Sequence, residues 1–412
     1  MKHVKKLSIK PSHYATNGKK NRTDTGKEKT KQDKYCATDF CEKKIGGPSL
    51  DLEELSENSN VGTSAVHGNE TSEKSALKSP TTLKAVNAST LDPVTIVTGG
   101  AGFLGSHLCT RLLRNGARVI AIDNLSTGFR ANVAHLMTSD RFELIEHDII
   151  SPIKINQKVN AIYNLACSAS PAKYQLDPIH TFHTSIDGAY NMLNLADQKS
   201  ARILQASTSE VYGDPEISPQ RETYRGAVNT YGPRACYDEG KRGAETLFYE
   251  YACMNKIETR IARIFNTYGP LMDPLDGRVV SNFVVQALMG QDITIYGTGK
   301  QTRSFCYVSD LIDGLIRLME SEDGVTSPVN LGNPHEFTVL EVARMVLAKT
   351  CSRSRLRFMD ALQDEPKRRR PDITLARTLL SWQPKVSFSD GLDQMIVYFG
   401  QKLSDHSRQA LL

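Results

Sequence analysis

The chain has 412 residues, 39% of them apolar and 24% charged, enough to bury a sizeable core in one large or two smaller domains. Its eight cysteines form no C-x-x-C pair and no metal-ligand rhythm, which excludes a zinc or disulfide framework and predicts free thiols in a reducing compartment, with no metal centre. The net charge of +5 resides mostly in residues 1–93, where 16 Lys and Arg stand against 12 Asp and Glu.

Residues 1–92 are rich in Lys, Ser, Thr, Asn and Glu and carry only Tyr14, Tyr35 and Phe40 as aromatics. Such a segment buries too little to offset its ordering entropy, so a disordered basic and polar tail is expected. Its bases are mixed with acids and lack interleaved aromatics, so no nucleic-acid partner is expected. No stretch approaches the roughly 20 apolar residues of a membrane helix. A soluble, cytoplasmic protein with no membrane partner is the expectation.

From Val94 the pattern changes. The β-branched run Val94–Thr98 predicts a strand, and the amphipathic stretch from Phe103 to Asn115 a helix after a glycine turn. Further strands are predicted at Arg118–Ile122, Phe142–Glu146, Ala161–Leu165, Arg202–Ala206 and Thr259–Ile264, with helices near 185–199 and 236–254. This alternation predicts an α/β fold, a doubly wound parallel sheet of Rossmann type. Beyond about 267 the strands shorten (Ile293–Tyr296, Cys306–Val308, Val329–Leu331) among helices near 279–290, 309–321, 338–350 and 389–400. The expected division is a dinucleotide-binding domain over 93–266 and a smaller substrate lobe over 267–412, partly interleaved with it.

Gly99-Gly-Ala-Gly102-Phe-Leu-Gly105 places glycines where a strand turns into a helix, so backbone can approach a pyrophosphate and the helix amino terminus can hold it. The second strand ends at Asp123, 18 residues past Gly105, where a carboxylate accepts bonds from adenosine ribose hydroxyls and repels a 2′-phosphate. NAD is therefore the expected cofactor. Phe103, Leu104 and Asn124 fall in the same turns, Asp148 after the third strand is placed to meet the adenine edge, and Leu165 after the fourth runs beside the cofactor.

Tyr237-Asp-Glu-Gly-Lys241 puts a phenol and an ammonium one helical turn apart, close enough for the lysine to stabilise a phenolate. Ser207-Thr-Ser-Glu-Val-Tyr-Gly213 follows a strand at a carboxyl end of the sheet, where Thr208 can share a substrate hydroxyl with Tyr237. Glycine turn, acidic ribose anchor, hydroxyl-bearing strand end and Tyr/Lys helix, in this order, resemble the extended, nucleotide-sugar-modifying branch of the short-chain dehydrogenase/reductases over residues 94 to about 400. Ser207–Pro215, Arg234–Arg242, Arg263–Pro270, Asp276–Asn282 and Val329–Pro334 closely resemble the UDP-glucuronate decarboxylase, or UDP-xylose synthase, family.

The resemblance implies NAD-dependent oxidation of UDP-glucuronate at C4, loss of carbon dioxide from the resulting β-keto acid, and re-reduction to UDP-xylose, with a homodimer as the assembly. Tyr237 is then the base, Lys241 its partner, and Ser209-Glu210 stands where related 4,6-dehydratases carry an Asp-Glu pair that protonates a leaving hydroxyl. Decarboxylation expels no hydroxide and needs no such acid, which argues against a 4-epimerase or 4,6-dehydratase. Arg369, in Lys367-Arg-Arg-Arg-Pro-Asp372, matches an arginine that points into the sugar site, where the resemblance implies that it assists proton delivery or holds the diphosphate; Arg303 and Asn266 match diphosphate-binding residues, and Arg278 and Tyr307 join the expected substrate contacts. The chain departs from the family pattern at Ser168, Ser185, Thr230-Tyr231 and Leu271, positions that bear on rate and substrate choice. His180 and His183 are read as ordinary polar contacts and Cys236 as packing. A non-catalytic NAD-binding partner of an active paralogue is the alternative outside enzymology.

Overall fold

The protein is described by a computed structural model covering residues 94–255, 257–361 and 368–409. The expected tail and Lys367 lie outside the described residues. In chain order, β1 (Val94–Thr98) and α1 (Phe103–Arg114) lead to β2 (Arg118–Asp123), α2 (Arg130–Val133), β3 (Phe142–Glu146), β4 (Ala161–Asn164), α3 (Pro171–Tyr174), α4 (Pro178–Lys199) and β5 (Arg202–Thr208). A 3-10 turn over Ser209–Tyr212, then α5 (Ala235–Asn255), β6 (Thr259–Ile264), β7 (Thr267–Tyr268), α6 (Val279–Leu288) and β8 (Ile293–Tyr296) follow. The rest runs β9 (Thr302–Ser304), β10 (Cys306–Tyr307), α7 (Val308–Met319), β11 (Val329–Leu331), β12 (Glu336–Thr338), α8 (Val339–Thr350), β13 (Leu356–Met359), β14 (Arg368–Arg369), α9 (Thr374–Leu380) and α10 (Phe388–Gln409). Among the described residues no helix is long and apolar enough to cross a membrane.

Seven strands form one parallel sheet in the order β11-β6-β5-β4-β1-β2-β3. Successive side chains leave a strand on opposite faces, so each apolar run feeds two cores. Ile96, Ile120, Ile122, Ile162 and Ile203 pack with Met192 and Leu193 of α4 and Phe248 of α5. Their neighbours Val97, Val119, Ala121, Tyr163 and Leu204 pack with Leu108 of α1 and Leu311 and Leu315 of α7. The doubly wound sheet is therefore the expected one, and β1, β3, β6, β8 and β11 occupy the expected residues.

Helix α4 begins seven residues before the expected start. Asp177 caps it by accepting the His180 N–H at 3.0 Å, and Pro178 occupies the first turn, where a missing N–H costs nothing. In the carboxyl-terminal half, β9 is flanked by β12 antiparallel and β14 parallel. Strands of two or three residues carry no periodicity, so this small sheet is not legible in the sequence, yet its register sets Arg369 beside Arg303.

Trp382 fixes the same half. It is buried, its indole N–H donates to the Asp310 carbonyl at 2.9 Å, and Gly314 leaves room for its ring. Trp382→Ala is expected to destabilise the fold by about 3–5 kcal/mol. Since Trp382 is the sole tryptophan, urea unfolding followed by circular dichroism is the measurement, and a loss under about 1 kcal/mol would contradict it.

Candidate active site

The chain leaves β1 outward through β2 and β3 and returns to place β4 on the other side of β1, so the strand order reverses between β1 and β4. Open α/β sheets bind ligands at the carboxyl ends of strands flanking such a reversal. A cavity of about 620 Å³ opens there.

Its first part is built from the glycine turn. Gly99 has φ +66° and a Cβ on Gly105 would lie 2.0 Å from the Gly99 carbonyl oxygen, so the start of α1 sits directly on the turn. Gly99, Gly102, Phe103, Leu104 and Gly105 all line the cavity, bringing the positive end of α1 to it. Asp123 ends β2 with its carboxylate accepting the N–H groups of Ala101 at 2.9 Å and Leu125 at 2.8 Å; burial raises its pKa against those bonds. Arg130, the first basic side chain after it, is engaged by Glu146. Asn124 donates to Asp148 at 2.7 Å and His180 Nε2 meets the same oxygen at 2.7 Å. Burial works to raise the Asp148 pKa, but these bonds outweigh it and hold the carboxyl below its usual range. The Leu165 and Ala166 N–H groups are fixed by Thr98 Oγ1, each at 3.1 Å. Glycine backbone at the positive end of α1, beside a fixed carboxylate, fits a dinucleotide with a free ribose 2′-hydroxyl. Gly105→Ala is expected to lower stability by about 1–3 kcal/mol and to weaken NAD binding roughly tenfold or more. Thermal unfolding and calorimetric titration with NAD measure the two effects, and unchanged NAD affinity would contradict the second.

The second part joins the end of β5 to α5. Tyr237 and Lys241 are buried one turn apart; the lysine Nζ donates to the Ala206 carbonyl at 2.9 Å and lies 5.9 Å from the centre of the phenol ring. Burial, then the nearby Cys167, pushes the Tyr237 pKa up, and a hydrogen bond from Thr208 opposes them. The Thr208 hydroxyl also accepts the Glu210 N–H at 3.2 Å, starting the 3-10 turn. Arg369 donates to Glu210 at 2.9 Å, to Ser209 Oγ at 3.2 Å and to the Gly213 carbonyl at 3.4 Å. Arg234 donates to the same Glu210 oxygen. Burial alone would raise the Glu210 pKa, but the two guanidiniums hold it below the ordinary carboxylate range.

Asn266, Arg278 and Arg303 line the cavity, Arg278 in a pair with Asp276 and Arg303 donating to the Thr302 carbonyl at 2.8 Å. Tyr307 is the exception among the expected site residues. It lies outside the cavity lining, packed edge-on to Tyr268 with its hydroxyl donating to Gln394 at 2.6 Å, because β10 pairs with β7 and carries it into the core beneath α10. The sequence reading missed Arg234 and Tyr174. Arg234 stands four residues before Asp238 and one turn ahead of the Tyr/Lys pair, a spacing that places a cation near Glu210 once α5 is docked. Tyr174, stacked parallel on Tyr237 with ring centres 5.1 Å apart, gives no local signal.

Ser168 lines the cavity with a buried hydroxyl that has no hydrogen-bond partner, and Leu271 lines it with φ +66°. Ser185 lies behind the cavity wall, its Oγ 3.4 Å from Cys167 Sγ. Three blocks of the family pattern are tied together: Arg263 holds Glu245 and the Tyr212 hydroxyl, which donates to Asn330 at 2.7 Å. His183 pairs with Asp187 on the exposed face of α4.

Residues 96–395 match the family model described as GDP-mannose 4,6 dehydratase, which places the chain among the extended, nucleotide-sugar-modifying short-chain dehydrogenase/reductases. UDP-glucuronic acid decarboxylase 1 of Danio rerio is 53% identical over 308 residues, 75% of this chain and 73% of that one. UDP-glucuronic acid decarboxylase 5 of Arabidopsis thaliana is 51% identical over 76% of this chain and 90% of its own length. The chain belongs to the UDP-glucuronic acid decarboxylase family. Among solved structures, UDP-glucuronic acid 4-epimerase from Bacillus cereus, in complex with UDP-glucuronic acid and NAD, superposes with a TM-score of 0.68 at 28% identity, covering 75% of this chain and 99% of that one.

Proposed function

We propose that the protein is an NAD-dependent UDP-glucuronate decarboxylase that releases carbon dioxide and forms UDP-xylose. The carrying observation is the arrangement at the end of β5, where Ser209 stands in place of an acid and Glu210 is clamped by Arg234 and Arg369 beside Tyr237. When bound, NAD would supply a hydride acceptor and a positive charge that favours the phenolate form the buried tyrosine needs to act as a base. Tyr237 takes the proton of the C4 hydroxyl and later returns it, with Thr208 sharing that hydroxyl and Lys241 fixing the phenol. The 4-keto sugar acid is a β-keto acid, and the fixed charge of Glu210 disfavours the sugar carboxylate until carbon dioxide leaves. Asn266, Arg278 and Arg303 hold the diphosphate.

Incubation with UDP-glucuronate and catalytic NAD tests the reading. UDP-xylose and carbon dioxide in excess over NAD are expected; an epimerised or dehydrated product without carbon dioxide would overturn it, as would NAD binding with no turnover. A cytoplasmic location and a homodimer belong to the same proposal. Six cysteines among the described residues are free thiols; α4 exposes Phe182 and Tyr190, and α5 exposes Tyr249 and Met254, apolar surface that paired helices of two copies would cover.

A further inference from the structure

A dinucleotide whose pyrophosphate lies at the start of α1 and whose ribose meets Asp123 at the end of β2 carries its purine one strand further out, to the end of β3. There Asp148 lines the cavity with Asn124, Ile149 and His180. His180 comes to this corner from the first turn of α4.

The imidazole is anchored before it reaches the carboxylate. Asp177 accepts the His180 N–H, and Thr184, one turn on, donates to the His180 carbonyl at 2.8 Å with its Oγ1 3.4 Å from the ring Nδ1. Further along the same helix Asn191 donates to the Ile149 and Ile150 carbonyls at 2.9 and 3.0 Å, so α4 is fastened to the turn that carries Asp148. A carboxylate only accepts, so His180 Nε2 is the donor in its 2.7 Å contact with Asp148 Oδ2. Asn124 donates to the same oxygen at 2.7 Å. A carboxylate oxygen takes about two donors, and Oδ2 is therefore filled. Oδ1 accepts the Ile150 N–H at 3.1 Å and keeps a lone pair, on a side chain that is 30% exposed and lines the cavity.

We propose that His180 is a positioning residue of the cofactor site: by filling one Asp148 oxygen together with Asn124, it leaves the other to the purine edge and selects a 6-amino purine over a 6-oxo purine. An exocyclic amino group donates to the free oxygen, whereas a 6-oxo group sets one acceptor against another. The inference rests on the reading of the cavity as an NAD site, and no step of the sugar chemistry enters it.

Calorimetric titration of the full-length protein, freed of bound nucleotide, with NAD and with nicotinamide hypoxanthine dinucleotide tests it. The second compound carries an oxygen in place of the 6-amino group. Wild type is expected to bind NAD about tenfold or more tighter. If neither dinucleotide binds, the NAD reading itself fails; if both bind equally, that reading stands and this inference is overturned. His180→Leu should bring the two affinities within about threefold of each other by weakening NAD, and His180→Gln, whose amide N–H replaces the ring donor, should retain most of the preference. A histidine that served the fold alone would lower both affinities together and leave their ratio unchanged. That outcome overturns the proposal, as does a Gln variant with no more preference than the Leu variant. Should His180→Leu not fold, Asp148→Asn decides. Its one oxygen stays with Asn124 and His180 and its amide N–H faces the purine, so preference should pass to the hypoxanthine compound, and a retained preference for NAD overturns the proposal.

Discussion

Replacing Tyr237 with Phe is expected to reduce UDP-xylose formation by about 10³-fold or more while leaving NAD binding within about threefold. The substitution removes one oxygen from a buried ring that stacks on Tyr174 and has Lys241 Nζ 5.9 Å from its centre, so the ring and the α5 backbone keep their places. What is lost is the group proposed to take the C4 hydroxyl proton in the first half of the reaction and to return it in the second. Both hydride transfers therefore suffer together. The 4-keto intermediate should not accumulate, and reduced cofactor should not build up on the enzyme. The loss of the bond between Thr208 and the phenol costs only about 1 kcal/mol, so thermal unfolding should move by a few degrees at most. Stopped absorbance at the reduced-nicotinamide band together with product analysis checks the prediction. Turnover within tenfold of wild type would show that another group removes the proton, and a burst of reduced cofactor without product would place the block after C4 oxidation.

The parts of this site that were legible in the sequence are those set by local chemistry. Gly99, Gly102 and Gly105 can be read because only glycine tolerates the approach between the Gly105 Cα and the Gly99 carbonyl. Asp123 can be read because the end of a buried strand is one of the few places where an apolar run meets a carboxylate at a fixed distance from that turn. The Tyr237/Lys241 pair follows from helical spacing. Tertiary relations were less accessible. Arg369 sits in a two-residue strand whose place depends on β9, and only the family resemblance pointed to it. Arg234 was visible in a quoted motif, yet nothing in its spacing shows that it shares one Glu210 oxygen with a residue more than a hundred positions later. Tyr307 illustrates the converse: an aromatic in a promising motif is carried into the core by the pairing of β10 with β7.

Arg369→Ala is expected to lower both stability and turnover, and pH separates the two causes. Arg369 is almost wholly buried, and three acceptors, Glu210, Ser209 and Gly213, depend on its guanidinium. Removing one member of a buried pair costs about 3–5 kcal/mol because a charge is left behind. Arg234 still holds the same Glu210 oxygen, so the lower end, about 3 kcal/mol, is expected. Turnover should fall about 10²–10³-fold, as when one fixed donor is removed from a charge-stabilising site. The Glu210 pKa is depressed in the folded state, so its contribution is full above the unfolded carboxyl value of about 4.3 and disappears as pH falls through the lower folded value. In the variant that depression is smaller. The stability gap between variant and wild type should therefore be widest near neutral pH and narrow as pH drops below about 4.3 and on through the lower folded value, beneath which Glu210 is protonated in both. Arg369→Lys keeps a charge but not the fork that reaches three acceptors, so it should recover part of the stability and little of the turnover. Urea unfolding at several pH values, with product formation at neutral pH, measures each effect. A gap that stays constant across that range would mean that the loss comes from packing around β14, and an Arg369→Lys variant with full turnover would mean that positive charge alone is what Glu210 requires.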